Sequence, residues 1–120
     1  MIFVVGCSSA ERLAVKLIEG GLSVVTYWDV DMPPEEVYET VLEADAIVLA
    51  YDSVEEHMVP ATLGLALAMG KLVYVLDGLD VFDKIREICP LLALDGVAIF
   101  QRDYELVKAV VADHKEDSNL

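Results

Sequence analysis

Basic residues are scarce in this chain. Eight Lys and Arg stand against 22 Asp and Glu, for a formal net charge of -14. A chain this acidic repels phosphate backbones, which argues against a nucleic-acid partner. The same repulsion keeps an apolar chain soluble. Cysteine is nearly absent: Cys7 and Cys89 are the two thiols. They form no CxxC and no Cys/His spacing suited to zinc, so neither a disulfide framework nor a metal centre is expected. No apolar run approaches the ~18 residues needed to cross a bilayer. The chain enters Ile2-Phe3-Val4-Val5-Gly6 directly, without a basic region or small-residue cleavage site. That start predicts a buried strand, and hence a cytoplasmic protein with no membrane association. A P-loop and a GxGxxG are both missing, which argues against a nucleoside triphosphate. No cofactor is expected.

What is present is a core. Apolar residues make up 56 % of 120 residues, enough for one domain. That domain is expected over 1–114, with 115–120 a flexible tail. Short apolar runs alternate with amphipathic segments, the pattern of βαβ units around a parallel sheet. Strands are expected at Ile2 to Gly6, Leu22 to Trp28, Ala46 to Tyr51, Leu72 to Leu76 and Val97 to Phe100.

The first helix is expected to start at Ser8, with Glu11 at capping-box spacing, and to end at Gly20-Gly21. Its apolar face is Ala10, Leu13, Ala14, Leu17 and Ile18. The second starts at Pro33-Pro34 and runs to Glu43, with Val37, Val41 and Leu42 inward. The third is set at Pro60 to Met69, because a proline clashes inside a longer helix. It is apolar nearly all round, so one side should meet the sheet and the other a neighbouring helix or a second subunit. Its small residues Ala61, Gly64, Ala66 and Ala68 would permit close approach. A fourth helix is expected over Val81 to Cys89. The last runs from Tyr104 to about Asp113, with Leu106, Val107, Val110 and Val111 on its face. His114 reads as solvated surface.

Strict alternation of this kind predicts an α/β, flavodoxin-like (Rossmann-like) three-layer sandwich with a five-stranded parallel sheet in the order 2-1-3-4-5. A Rossmann-type half with another order is the alternative. In the first arrangement the order reverses between strands 1 and 3, and ligands bind beyond their carboxyl ends. The residues falling there are Gly6, Cys7, Ser8, Ser9, Tyr51, Asp52 and Ser53. Trp28 and Asp29 flank them, as does the start of the third helix at Thr62. Gly6 to Ser9 offers backbone N–H groups at a helix start, or Ser8 simply caps the helix. Trp28 and Tyr51 either stack on a base or fill strand ends. Cys7 at a helix N-terminus invites a nucleophile reading. However, Cys7-Ser8-Ser9-Ala10-Glu11-Arg12 is one residue short of the low-molecular-weight phosphatase loop and carries an acid within it. Asp52 lacks the paired acid and the lysine that a response-regulator receiver needs. His57, beside Glu55 and Glu56, reads as a solvated loop residue rather than a metal ligand.

The central stretch carries a more specific pattern. Ala44-Asp45-Ala46-Ile47-Val48-Leu49-Ala50 is followed by Asp52, and then by Thr62-Leu63-Gly64-Leu65-Ala66-Leu67-Ala68-Met69-Gly70-Lys71. In these motifs the chain resembles the nucleoside 2-deoxyribosyltransferase family. The resemblance is sharp over residues 43 to 76, and the order of elements agrees over nearly the whole chain. It implies the same fold, a nucleoside-type ligand and Asp52 as an acid orienting the nucleoside or its sugar. It also implies a crevice that a partner chain can complete. One departure bears on chemistry. The family's nucleophilic glutamate opens the third helix, and Thr62 stands in its place. The resemblance then leaves Glu55 or Glu56 as the carboxylate that would have to substitute for it.

The reading taken forward is a domain that binds a nucleoside, nucleotide or related metabolite at the carboxyl ends of strands 1 and 3. It is expected to form a homodimer or higher homo-oligomer through the helix at 60–70. The alternatives are an active N-glycosidic-bond transferase or hydrolase using Asp52 with Glu55 or Glu56, and a non-catalytic interaction domain that dimerises.

Overall fold

The structure, a computed structural model, describes residues 1–6, 8–27, 33–50, 58–77 and 97–114. Five strands form one parallel sheet: β1 Ile2–Val5, β2 Val24–Tyr27, β3 Ala46–Ala50, β4 Leu72–Leu76 and β5 Val97–Phe100. Their order is β2-β1-β3-β4-β5, as the alternation predicts. The helices are α1 Ser8–Glu19, α2 Pro34–Glu43, α3 Met58–Ala68 and α4 Asp103–His114. The helix expected over Val81 to Cys89 and the tail from 115 lie outside the described residues.

The strand compositions follow their places in the sheet. β1 and β3 are fully buried and therefore continuously apolar, as interior parallel strands must be. β2 and β5 lie at the edges and are only partly covered. Side-chain alternation divides the core in two. Phe3, Val5, Ile47, Leu49, Val73 and Val75 face Val41 of α2 and Leu63 and Ala66 of α3. On the other face, Val4, Val48, Ala50 and Leu76 meet Leu13 and Leu17 of α1 and Leu106 and Val110 of α4. The result is a helix–sheet–helix sandwich. No helix among the described residues is long and apolar enough to cross a membrane.

Several boundaries and faces differ from expectation. Helix α3 begins at Met58 rather than Pro60. A proline in the first turn is tolerated, because the N–H it lacks would have no partner inside the helix. Strand β2 begins at Val24 rather than Leu22, because Leu22 still belongs to the end of α1. Its N–H donates to Leu17 O at 3.1 Å, and that of Gly21 to Ile18 O at 2.9 Å. With Gly21 at φ +92°, this is a Schellman termination. Helix α4 begins one residue earlier than expected, at Asp103.

Ile18 and Leu42 are not inward: they are 56 % and 54 % exposed. In α1 the buried set Ala10, Leu13, Ala14 and Leu17 completes the sheet-facing stripe, and Ile18 falls beyond its edge. Helix α3 is buried on its sheet side, but Gly64 and Ala68 are exposed. A Cβ built on Gly64 would meet nothing within 4 Å, so no close approach inside the chain uses that glycine. His114 is also not free surface. Its ring lies edge-on to Tyr74 at 6.2 Å between centroids, with Nε2 3.5 Å from the Tyr74 hydroxyl.

Candidate functional site

The carboxyl ends of the strands are level. Val5 pairs with both Tyr27 and Leu49, Ala50 with Leu76, and Leu76 with Phe100. At this end α1 leaves β1 toward one face of the sheet, while α3 follows β3 on the other. Successive connections that diverge in this way open a crevice between β1 and β3.

Gly6 forms the β1 side of that opening. Its N–H donates to Tyr27 O at 3.3 Å, extending the ladder to β2. Its φ is +153°, and a Cβ there would lie 2.6 Å from Ala50 O, 3.0 Å from Ala50 Cβ and 3.2 Å from Ala10 Cβ. Three elements converge on a point where only glycine fits.

Ser8 is the first helical residue of α1, so the N-cap position falls on Cys7, outside the described residues. Ser8 is exposed. The Ser9 hydroxyl accepts from Arg12 Nη2 at 3.3 Å. The Arg12 guanidinium is committed to Asp103: Nε donates to one carboxylate oxygen, and Nη2 reaches the other at 3.2 Å. Lys16 Nζ adds a contact at 3.5 Å. The Arg12 hydrogen bond, opposed by partial burial, holds the Asp103 carboxyl below its ordinary range. Asp103 also lies in the first turn of α4, where the helix dipole favours a negative charge. Arg12 therefore ties α1 to α4 and does not cradle an anion. Along the outer side of α1 runs a groove of about 390 Å³ lined by Ser8, Arg12, Val15 and Lys16 with Glu11 and Glu19.

Thr62 is 3 % exposed, in the sheet-facing stripe with Leu63 and Ala66. The structure thus brings Gly6, Ser8, Ser9 and Thr62 to the expected end of the sheet. Cys7, Trp28, Asp29, Tyr51, Asp52, Ser53, Glu55, Glu56 and His57 lie outside the described residues. Asp77, immediately after β4, is a residue that sequence reasoning misses. It is 4 % exposed, and its N–H donates to Phe100 O at 2.8 Å. The available signal is an apolar run ending abruptly in an acid, the same signal that points to Asp52 after β3.

Four other positions of the 62–71 pattern have architectural roles. Leu63 and Ala66 fill the core. Gly70, at φ +69°, ends α3: its N–H donates to Leu67 O at 3.1 Å, and that of Lys71 to Ala66 O at 3.0 Å. Lys71 Nζ then donates to Leu42 O at 2.8 Å and Ala44 O at 2.9 Å, satisfying carbonyls at the end of α2. Comparison with known protein families, curated proteins and solved structures finds no match to this chain.

Proposed function

We propose that this chain is a nucleoside 2-deoxyribosyltransferase-like domain that binds a nucleoside, nucleotide or related small metabolite beyond the carboxyl ends of β1 and β3. The strand order carries the reading. β1 and β3 are neighbours whose following helices pack on opposite faces of the sheet, and that divergence is the usual origin of a ligand crevice in α/β sheets. The nucleoside class comes from the resemblance over residues 43–76. The family's covalent step is not part of the proposal, because the nucleophile position is a buried threonine. Its hydroxyl is not ionised at neutral pH, and a nucleophile needs activation to attack.

The test is incubation with adenosine and 2′-deoxyadenosine, following melting temperature and base release together. A stabilisation of several degrees without release supports the binding reading, because a ligand that binds only the native state stabilises it by mass action. Release that is lost in Asp52→Asn would establish the enzyme reading instead. Silence in both assays refutes both.

A homodimer through α3 belongs to the same proposal. Met58–Ala68 contains no charged residue, and Gly64 and Ala68 are exposed on it. Two chains of net charge -14 can approach across such a face without opposing carboxylates. Light scattering should give twice the chain mass, and Gly64→Glu should return the monomer. A wild-type monomer at high concentration refutes the dimer.

A further inference from the structure

Tyr38 and Leu42 of α2 are large side chains that the chain leaves uncovered, 51 % and 54 % exposed. They stand one turn apart and form a single stripe. Helix α2 turns Val41 into the core. At about 100° per residue, Tyr38 and Leu42 both fall on one flank of that buried side. Right-handed crossovers, the rule in parallel sheets, set α3 along that same flank. The two helices are neighbours over one core cluster. They are also tied where they end, because Lys71, just past α3, donates to Leu42 O at 2.8 Å. On α3, Gly64 and Ala68 are exposed, again one turn apart. A Cβ built on Gly64 would meet nothing within 4 Å, so no part of the chain fills the space above it.

One surface therefore carries a bulky pair on α2 beside a small pair on α3. A two-fold axis sets this surface against its own copy, so that each pair meets the other twice. Area also calls for both helices. Helix α3 has 11 residues, which makes a strip ~16 Å long and ~10 Å wide. A stable interface covers ~800 Å² on each partner, so α3 alone is too small and the helix beside it has to contribute. Charge permits the pairing. Glu35, Glu39 and Glu43 are exposed on α2, four residues apart in a stripe of their own beyond Leu42. They rim the apolar surface, and the α3 that a second copy brings there has no charged residue to oppose them.

We infer that the homodimer interface spans α2 and α3, with Tyr38 and Leu42 of each copy packed on Gly64 and Ala68 of the other across a two-fold axis. This deepens the dimer reading above and rests on it.

The experiment is light scattering of the full chain over a dilution series, giving the dimer Kd. The variants are Tyr38→Ala, Leu42→Ala and, as a control, Ile18→Ala. Ile18 is as exposed as Leu42, at 56 %, but belongs to α1 on the other face of the sheet. Leu42→Ala should raise Kd by ~25-fold or more, since an interface anchor is worth ~5-fold or more and the axis repeats the change at two sites. Tyr38→Ala should do the same, and Ile18→Ala should leave Kd unchanged. Wild-type Kd in Leu42→Ala and Tyr38→Ala overturns this inference; if Gly64→Glu still returns the monomer, the α3 dimer stands without it. Equal weakening by Ile18→Ala also overturns it. A wild-type chain that stays monomeric at high concentration overturns both. A second measurement needs no variant. Diluting the ¹⁵N-labelled chain should shift the amides of Tyr38, Leu42, Gly64 and Ala68 together and leave those of Val15 and Ile18 in place. Shifts confined to Gly64 and Ala68 overturn the inference and keep the α3 dimer.

Discussion

Replacing Gly6 by alanine tests the crevice at its narrowest point. The added Cβ would lie 2.6 Å from Ala50 O and 3.0 Å from Ala50 Cβ. The first of these is a backbone atom in a strand paired on both sides, so it cannot swing away as a flexible side chain would. Overpacking of this sort costs ~1–3 kcal/mol. The φ of +153° adds strain for any L-residue, ~1–3 kcal/mol. Together they set an expected loss of about 4 kcal/mol. For 120 residues, an unfolding entropy of ~2.1 cal/mol/K per residue converts each kcal/mol into ~4 °C. Gly6→Ala should therefore melt about 16 °C below wild type.

Two other glycines separate the terms. Gly21 has φ +92° and nothing within 4 Å of an added Cβ, so Gly21→Ala carries strain alone, ~1–2 kcal/mol. Gly64 is helical with open space around it. In the monomer Gly64→Ala should gain ~0.5–1 kcal/mol from helix propensity. Melting followed by circular dichroism should rank Gly64→Ala above wild type, then Gly21→Ala, then Gly6→Ala. If Gly6→Ala melts no lower than Gly21→Ala, the three-way convergence of β1, β3 and α1 is refuted.

Other perturbations are expected to be smaller. Lys71→Met should destabilise by ~1–2 kcal/mol in urea, since the Leu42 and Ala44 carbonyls lose a charged donor. Tyr74→Phe removes the hydrogen bond to the Asp113 carboxylate and should cost ~1 kcal/mol, because Asp113 is exposed and regains water. In wild type, burial and then that carboxylate hold the Tyr74 hydroxyl well above its ordinary pKa, so its absorbance should not titrate near pH 10. Asp103→Asn should cost ~1 kcal/mol at pH 7, the usual ceiling for a pair whose cation is half exposed. The folded Asp103 pKa is lowered, so its contribution is full above the unfolded value, ~3.9, and is lost as pH falls through the folded value. The stability gap between wild type and Asp103→Asn should hold from pH 7 to 5 and close below pH 4.

The sheet is legible in the sequence because its signal is coarse and repeated. Five apolar runs separated by helical segments admit few parallel topologies, and burial on both faces leaves little choice of residue in β1 and β3. Helix ends are legible where glycine needs a positive φ, as at Gly21 and Gly70. Faces are less so. Ile18 and Leu42 are apolar and adjacent to core positions, yet a helix meets a flat sheet along a narrow stripe, and the residue just past its edge stays exposed. The partners of Arg12 and Tyr74 are not legible, because Asp103 and Asp113 lie 91 and 39 residues away. At the candidate site, Gly6 stands out because it sits at the end of β1, where the topology brings elements together, and Thr62 because it opens the 62–71 pattern. Asp77 does not, because in the sequence it marks only the end of a strand.

The two ends of the sheet are built differently, and this bears on where a ligand can act. At the amino end, polar groups lock elements to one another. The N-terminal ammonium pairs with Asp45 and holds its carboxyl low, Lys71 closes the end of α2, and Tyr74 ties β4 to the end of α4. A hollow of about 360 Å³ there is lined by Met1, Ile2, Leu22, Ser23, Asp45 and His114, so it abuts groups already engaged in holding the fold. At the carboxyl end, Gly6 brings backbones together without a side chain, and a threonine and a carboxylate are buried where a sheet core would ordinarily take Val or Leu. Asp77 already has a partner within the chain, and removing one member of a buried pair leaves the other unmet. Asp77→Leu should therefore lose ~1–3 kcal/mol of stability in urea. Wild-type stability in Asp77→Leu would refute a structural role for that carboxylate.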